Sequence, residues 1–200
     1  STVNKGKGII LGGITGVPPT KVVIIGAGTV AEYAARAALS LGAEIQVFDN
    51  HLYKLRRIKH TLGHQFYTST IDTYTLSESL KHADVVIGAL RAEKGKVRHV
   101  VSEEMVKQMK PDSLIIDLSI DQGGCIATSE TTSLNRPVFR KHDIIHYCVP
   151  NVASRVATTA TTALSNIFTP TILRAAEEGG VEEMIFSHKW FMKGVYTYKG

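Results

Sequence analysis

The 200-residue chain is long enough for one well-cored domain, or for one domain with appendages. Its composition, 44% hydrophobic and 20% charged, is ordinary for a soluble globular protein, and no apolar run reaches the length of a membrane span. The formal charge of +5 suits an anionic ligand. We expect no nucleic-acid partner, because no basic patch is interleaved with aromatic residues, and no membrane partner.

The chain alternates between short apolar runs and amphipathic segments. Residues 1–20 are rich in glycine and contain two prolines, which predicts an extended lead-in. The later apolar runs are apolar at successive rather than alternate positions, which predicts strands covered on both faces. The predicted strands cover residues 22–25, 45–48, 65–69 (a weaker run), 85–89, 114–118 and 144–149.

Helical patterns lie between and after these runs. They cover residues 29–41, 51–62, 76–82, 102–109 and 153–178, and we expect the last to be broken or kinked near Pro170. Strands that alternate with helices predict an α/β fold of the Rossmann type, with a doubly wound, mainly parallel sheet and helices on both faces. We expect this domain at 21–178, followed by an apolar segment at 179–200.

The turn after the first predicted strand has the pattern G-x-G-x-x-G/A, with Gly26, Gly28 and Ala31 at its fixed positions. In a dinucleotide-binding unit the first glycine allows the tight turn, the second lets the backbone approach a pyrophosphate, and the third position keeps the helix close to the strand. The helix N-terminus then offers N–H groups to the phosphates. The pattern alone is weak, but here a strand precedes it and a helix follows.

Asp49 ends the next predicted strand, 23 residues after Gly26. A carboxylate at this place accepts hydrogen bonds from the adenosine ribose hydroxyls. It also repels the additional phosphate of NADP, so the sequence favours NAD as the cofactor. Lys54, Arg56 and Arg57 follow closely and leave NADP open, although we interpret most of this basic cluster as a solvated helix face.

A second acidic residue follows the predicted strand at 114–118. Asp121 lies just beyond the carboxyl end of that strand, where open α/β sheets bind their ligands, and Gly123 and Gly124 allow close backbone approach. Asn151 follows the strand at 144–149 in the same way. By its pattern alone, Asp121 is equally well explained as a helix cap or a turn residue.

Six stretches of the sequence together resemble one known family. They are GKGIILGG (6–13), GVPPTKVVIIGAGTV (16–30), LGAEIQVFD (41–49), ADVVIGA (83–89), VSEEMVKQMKPDSLIIDLSIDQGGC (101–125) and HYCVPN (146–151). The chain resembles the NAD-binding domain of alanine dehydrogenases, a family shared with the NAD-binding part of proton-translocating transhydrogenase. IDQGGC followed by HYCV is much closer to the alanine dehydrogenases.

The resemblance implies roles for single residues. Asp49 would bind the adenosine ribose and Lys54 would lie near the adenine. Asp121 matches the family aspartate that lies beside the nicotinamide ribose and is important in catalysis, and Val149 and Asn151 would line the nicotinamide end. The full expected cofactor-binding set is Gly26, Gly28, Thr29, Val30, Asp49, Lys54, Ala89, Leu90, Ile120, Asp121, Val149 and Asn151.

The resemblance also implies a larger enzyme. In the family the dinucleotide domain is inserted into a catalytic domain, which supplies an arginine for the substrate carboxylate and a lysine and a histidine that act on the amino acid. Residues 179–200 would begin the return to that domain, and the 200-residue chain alone would be inactive. The implied reaction is the reversible, NAD-dependent oxidative deamination of a small L-amino acid by a cytoplasmic homo-oligomer.

Two other functions stay open. After Asn151 the sequence reads VASRVATTATT, where alanine dehydrogenases typically carry a proline-rich turn, and SRVAT is similar to the transhydrogenases. The parent would then pass hydride to another nucleotide rather than to an amino acid. The third function is that of a sensor, which binds NAD(H) and regulates a partner without turnover.

The other reactive residues are better explained as structural. The sequence contains no G-x-S-x-G elbow, no H-E-x-x-H and no Cys-x-x-Cys, so we expect neither a serine nucleophile nor a metal site. The pair His142 and His146 flanks a predicted strand and would not share a helical face. Cys125 and Cys148 lie in apolar surroundings, which favours buried, reduced thiols in a cytoplasmic protein.

Overall fold

The computed structural model describes residues 7–91 and 98–199. The chain divides into two compact units, Ser1–Asn151 and Val152–Gly200. The described part of the first unit contains the sheet and four helices, and that of the second is helical.

A seven-stranded sheet forms the centre of the first unit. In chain order the elements are β1 (Lys21–Ile25), α1 (Thr29–Ser40), β2 (Glu44–Phe48), α2 (Leu52–Leu62), β3 (Tyr67–Ser69), α3 (Thr73–His82), β4 (Val85–Gly88), α4 (Glu103–Lys107), β5 (Leu114–Asp117), β6 (Val138–Lys141) and β7 (Ile144–Tyr147). The strands lie in the order β3-β2-β1-β4-β5-β7-β6. β6 pairs antiparallel with β7, and the other neighbouring strands pair parallel. The order changes direction between β1 and β4, so the predicted doubly wound, mainly parallel fold is confirmed.

The core lies in two layers, one on each face of the sheet. Val22 and Ile24 pack with buried residues of α1 and α2, whereas Val23 and Ile25 pack with residues of α3 and α4. Successive side chains of a strand point to opposite faces, so a strand buried on both faces must be apolar at successive positions. This requirement explains why β1 is apolar from Val22 to Ile25 without interruption.

Helix α1 lies close to the sheet because its inner face is made of small residues. Ala31, Ala35 and Ala38 recur at helical spacing and are all buried. Helices α3 and α4 begin at side-chain caps, since Asp72 accepts a hydrogen bond from the Thr75 N–H and Ser102 accepts one from the Met105 N–H. These caps fix where the two helices begin.

The edge strand β6 was not predicted from the sequence. It pairs antiparallel with β7 through a tight turn at His142 and Asp143, whose φ angles are 53° and 60°. Its sequence, VFRK, is short and half polar, so it carries no apolar run. The segment gains its extended shape from pairing with β7 at the sheet edge.

The second unit contains the helices α5 (Ala157–Glu177), α6 (Val181–Ser187) and α7 (Lys189–Met192), after a 3-10 turn at Val152–Val156. Helix α5 continues through Pro170, so a break there was wrongly expected, while a kink at Pro170 remains a prediction. Proline removes one backbone donor, and the remaining ladder of this 21-residue helix continues on both sides. Within the described residues, no helix combines the length and apolar character needed to cross a bilayer.

Candidate functional site

A cleft of about 500 Å³ opens at the carboxyl ends of β1, β4 and β5. It lies where the strand order of the sheet changes direction, which is where doubly wound sheets bind their ligands. Its volume falls in the range of small-molecule sites. The lining residues are Gly28, Thr29, Val30, Tyr53, Lys54, Arg57, Ala89, Leu90, Arg91, Leu118, Ser119, Asp121 and Gln122.

Glycine is needed for different reasons at the two positions of the turn after β1. Gly26 has a φ of +117°, and a Cβ placed on it would lie 2.5 Å from the carbonyl oxygen of Ala89. Glycine is therefore required there for the close approach of β1 and β4. Gly28 has an ordinary φ of −81°, and a Cβ placed on it would meet nothing within 4 Å. Space is therefore left at the mouth of the cleft that the protein itself does not fill.

Helix α1 begins directly after Gly28 and points its N-terminus into the cleft. Gly28 is the N-cap and has no side chain with which to cap the helix, so the first-turn N–H groups are left for a ligand. Thr29 and Val30 of this first turn line the cleft. Such a helix N-terminus binds anions through its N–H groups and its dipole.

Asp49 lies at the end of β2, but its side chain is turned inward. Only 4% of the residue is exposed, and it does not line the cleft. One carboxylate oxygen accepts a hydrogen bond from the Ala27 N–H at 2.8 Å, and the other accepts one from the His51 N–H at 2.8 Å. The carboxylate therefore ties the glycine turn to the end of β2. The His51 Nδ1 also lies 3.0 Å from Oδ1, so Oδ2, which accepts from Ala27, is the oxygen with a second lone pair for a ribose hydroxyl.

Basic side chains line the cleft beside the glycine turn. Lys54, Arg57 and Arg91 face it, and Arg57 donates a hydrogen bond to the Ala27 carbonyl oxygen at 3.0 Å. Arg56 and Arg57 are both exposed, as expected for a solvated helix face, but Arg57 also lines the cleft together with Lys54, whereas Arg56 does not. Lys54 and Arg57 are three residues apart, and positions i and i+3 share a helix face. This spacing could have shown from the sequence that the two side chains lie together.

Asp121 lies in a 3-10 turn at Ile120–Gln122 and lines the cleft opposite the glycine turn. Its Oδ1 accepts a hydrogen bond from the N–H of Asn151 at 2.9 Å, and Asn151 adopts a left-handed φ of 48°. Asp121 therefore holds the segment after β7 against the turn after β5.

The cleft brings together only part of the residue set expected from the sequence. The expected residues that line it are Gly28, Thr29, Val30, Lys54, Ala89, Leu90 and Asp121. Those that do not line it are Gly26, Asp49, Ile120, Val149 and Asn151. The lining residues that sequence reasoning missed are Tyr53, Arg57, Arg91, Leu118, Ser119 and Gln122.

Burial favours the neutral forms of the two cysteines and of His146. Burial, reinforced by the nearby Asp117 carboxylate, raises the pKa of the Cys125 thiol, and burial also raises the pKa of Cys148. Burial lowers the pKa of His146. Both cysteines are free and buried, so neither offers an accessible thiolate. In the described ranges, no group of three or more His, Cys, Asp or Glu side chains is placed to hold a metal ion.

The doubly wound sheet, the glycine turn at a helix N-terminus and the basic cleft at the switch point together define a dinucleotide-binding domain. The chain belongs to the family "Alanine dehydrogenase/PNT, C-terminal domain", whose model matches residues 1–200.

Individual relatives agree with this assignment. The chain is 39% identical to the alanine dehydrogenase of Mycolicibacterium smegmatis over 98% of its own length and 52% of that protein. A solved L-alanine dehydrogenase structure superposes with a TM-score of 0.85 at 35% identity, covering 89% of this chain and 49% of that chain. The transhydrogenase structure from Sinorhizobium meliloti gives a TM-score of 0.67 at 25% identity, covering 78% of this chain and 45% of that one. The chain thus spans about half the length of the curated alanine dehydrogenases it matches.

The cofactor expectation is confirmed by the family, because this domain is the NAD-binding domain of alanine dehydrogenases. The residues present fit that cofactor. The unfilled space above Gly28 admits a pyrophosphate, and the N–H groups of α1 are aimed at it. Lys54, Arg57 and Arg91 place positive charge along the cleft, which suits an anionic ligand.

Proposed function

We propose that this chain is the NAD(H)-binding part of an enzyme that catalyses the reversible oxidative deamination of L-alanine or a similarly small L-amino acid. The observation that carries the proposal is the match of the whole chain to the alanine dehydrogenase family together with the open space above Gly28. The family match indicates the cofactor, and the space indicates where its pyrophosphate lies.

The cleft suggests an orientation for the cofactor. The pyrophosphate would lie on Gly28 and the N-terminus of α1. The adenosine ribose would extend toward Asp49 and Lys54, at the end of β2 and the start of α2. The nicotinamide ribose would lie beside Asp121, on the β5 side of the cleft. This orientation follows the general rule for dinucleotides at the switch point of a doubly wound sheet.

The residues of this chain would bind and orient the cofactor. When bound, NAD supplies the hydride acceptor at its nicotinamide ring. Lys54 would face the adenosine end, and Arg57 and Arg91 would neutralise the phosphates. Asp121 would fix the nicotinamide ribose through its free carboxylate oxygen while its other oxygen holds the Asn151 N–H. The apolar side of the cleft, formed by Ala89, Leu90 and Leu118, would exclude water from the ring.

The substrate side of the reaction belongs to the full-length protein in this proposal. The chain spans about half of its curated relatives, and we propose that residues outside it bind the amino acid. The domain division expected from the sequence, with a lead-in at 1–20, the NAD-binding domain at 21–178 and a return segment at 179–200, remains a proposal. A cytoplasmic location and homo-oligomeric assembly also remain proposals.

A second candidate is a transhydrogenase component, supported by the Sinorhizobium meliloti structure and by the SRVAT sequence after Asn151. The identity to that protein is lower than to the alanine dehydrogenases, so we place it second. The two candidates differ in what exchanges hydride with NAD(H), which is an amino acid in one and a second nucleotide in the other.

The test uses this chain and the full-length protein in parallel. We expect the chain to bind NADH in a calorimetric titration and to show no L-alanine oxidation. The full-length protein should reduce NAD when given L-alanine, at an ordinary enzymatic rate of about 1–1000 per second. Hydride transfer from NADH to an oxidised NADP analogue, without alanine oxidation, would favour the transhydrogenase. NADH binding without either activity would favour a sensor.

A further inference from the structure

The last residue of β5, Asp117, is a buried carboxylate that the cofactor-binding scheme does not use. It is 1% exposed and does not line the cleft. Its neighbour on β4 in the register is Gly88, where a Cβ would lie 2.9 Å from the Asp117 Oδ1. The carboxylate and the Cys125 Sγ, which would lie 2.6 Å from the same Cβ, together occupy the space that a side chain on β4 would otherwise fill. Asp117 directly precedes Leu118 and Ser119, which line the cleft.

The donors to Asp117 come from both sides of one turn. Its Oδ1 accepts a hydrogen bond from the Ser119 N–H at 3.0 Å. Its Oδ2 accepts one from the Cys125 N–H at 3.0 Å and one from the Ser129 hydroxyl at 2.8 Å. Hydrogen bonds to a carboxylate are stronger than those between neutral groups, so these contacts are well suited to hold a loop.

The segment between these donors is a single closed turn. The Gln122 and Gly124 N–H groups both donate to the Ser119 carbonyl oxygen. Gly124 has a φ of +77°, and a Cβ on it would lie 2.9 Å from the Asp117 Oδ2, so the backbone passes very close to the carboxylate. Asp117 therefore clamps residues 119 and 125, which are the two ends of the turn that carries Asp121 into the cleft.

We propose that Asp117 is a positioning residue for the nicotinamide end of the cleft, acting through the turn at 119–124 and not by touching the cofactor. This inference rests on the proposed function, which places the nicotinamide ribose beside Asp121. It predicts that loss of the clamp weakens recognition of the nicotinamide half of the cofactor more than recognition of the adenosine half.

Asp117→Asn is the direct test, because an amide has the same shape but one oxygen fewer. If the amide oxygen of the asparagine accepts from the Ser119 N–H, its NH₂ group faces the Cys125 N–H and the Ser129 hydroxyl. In the flipped orientation, the NH₂ group faces the Ser119 N–H instead. In either orientation one end of the turn loses its acceptor.

The matched control is Asp84→Asn, at the opposite end of the same strand pair. Asp84 is likewise a carboxylate held by hydrogen bonds, although it is only half-buried, and it accepts from the Lys21 N–H and the Lys110 ammonium at 3.0 and 2.9 Å. It precedes β4, at the amino end of the sheet, and does not line the cleft. It therefore reports general destabilisation without a change at the nicotinamide end.

The experiment measures the affinities of NADH and ADP-ribose for the chain and its variants by calorimetry, with melting temperatures recorded beside them. We expect Asp117→Asn to lose at least tenfold in NADH affinity and less than threefold in ADP-ribose affinity. Asp84→Asn should leave the ratio of the two affinities unchanged. If the Asn variant does not fold, Ser129→Ala removes one donor to the same carboxylate and should shift the ratio two- to fivefold in the same direction.

The inference would be overturned if Asp117→Asn weakened NADH and ADP-ribose binding equally, or left the ratio of the two affinities unchanged. The same outcomes in Ser129→Ala would overturn it where that variant replaces Asp117→Asn. The proposed function fails separately. If the unmodified chain binds NADH no more tightly than ADP-ribose, the nicotinamide does not contact this domain as proposed. If it binds neither ligand, the cleft is not the NAD site.

Discussion

The substitution Gly28→Ala separates the binding role of the glycine turn from its folding role. Gly28 has a φ of −81°, which alanine adopts without strain, and the added methyl group would meet no protein atom within 4 Å. Alanine is a poorer N-cap than glycine but lowers the entropy of the unfolded chain, and these effects oppose each other. We expect the free energy of unfolding to change by no more than about 1 kcal/mol, or about 2–4 °C in melting temperature.

The effect on NAD binding should be much larger. In the proposed orientation the methyl group occupies the space of the pyrophosphate and pushes it away from the N–H groups of α1. Losing one charge-assisted hydrogen bond costs about 1.5–3 kcal/mol, which corresponds to a loss of affinity of about 10- to 100-fold. Calorimetric titration with NADH measures this loss directly, and thermal unfolding of the same sample measures stability.

Gly26→Ala is the matched contrast within the same motif. Its φ of +117° and the 2.5 Å approach to the Ala89 carbonyl oxygen mean that a methyl group forces β1 and β4 apart. We expect a loss of stability of about 1–3 kcal/mol or more.

If Gly28→Ala kept the NADH affinity within twofold, the pyrophosphate could not lie on Gly28, and the proposed orientation would be refuted.

Three further substitutions test the acidic residues. Asp49→Ala should narrow the preference for NADH over NADPH in competitive titrations. It should also lower the free energy of unfolding by about 1–3 kcal/mol, because the Ala27 N–H loses its acceptor. If the preference for NADH over NADPH did not change, Asp49 would be excluded as the ribose ligand. Asp121→Asn in the full-length enzyme should reduce turnover at least tenfold, about 1.4 kcal/mol of barrier, with little change in melting temperature, whereas a mere cap would tolerate asparagine with unchanged turnover. Burial tends to raise the pKa of Asp84, but hydrogen bonds from Lys21 and Lys110 outweigh it and lower that pKa. The stability that Asp84 provides is therefore fully present above its unfolded pKa of about 4 and is lost as the pH falls through its folded pKa. The denaturant midpoints of Asp84→Asn and of the parent should therefore differ at neutral pH and converge below about pH 4.

The sequence by itself determined the fold class and the glycine turn. The runs at β1, β4 and β5 are apolar at successive positions because each strand is covered on both faces. This pattern can be recognised in the sequence without knowledge of the neighbouring strands. Gly26 and Gly28 follow the first run at the spacing that the turn demands. Local backbone geometry decides these features, so residues close in the chain are sufficient to reveal them.

Only the tertiary structure decided which side chains share the cleft and which lie beneath it. Asp49 reads as a ligand residue in the sequence, yet its carboxylate is turned inward onto the Ala27 N–H. Asp117 gives no signal in the sequence, because its hydrogen-bond donors lie up to twelve residues away. Two of those donors are backbone N–H groups, which every residue type except proline provides. Arg57 enters the site because α2 packs beside a turn thirty residues earlier. Such contacts depend on how distant loops meet at one edge of the sheet, and that meeting is fixed by strand order and packing, not by any local pattern in the chain.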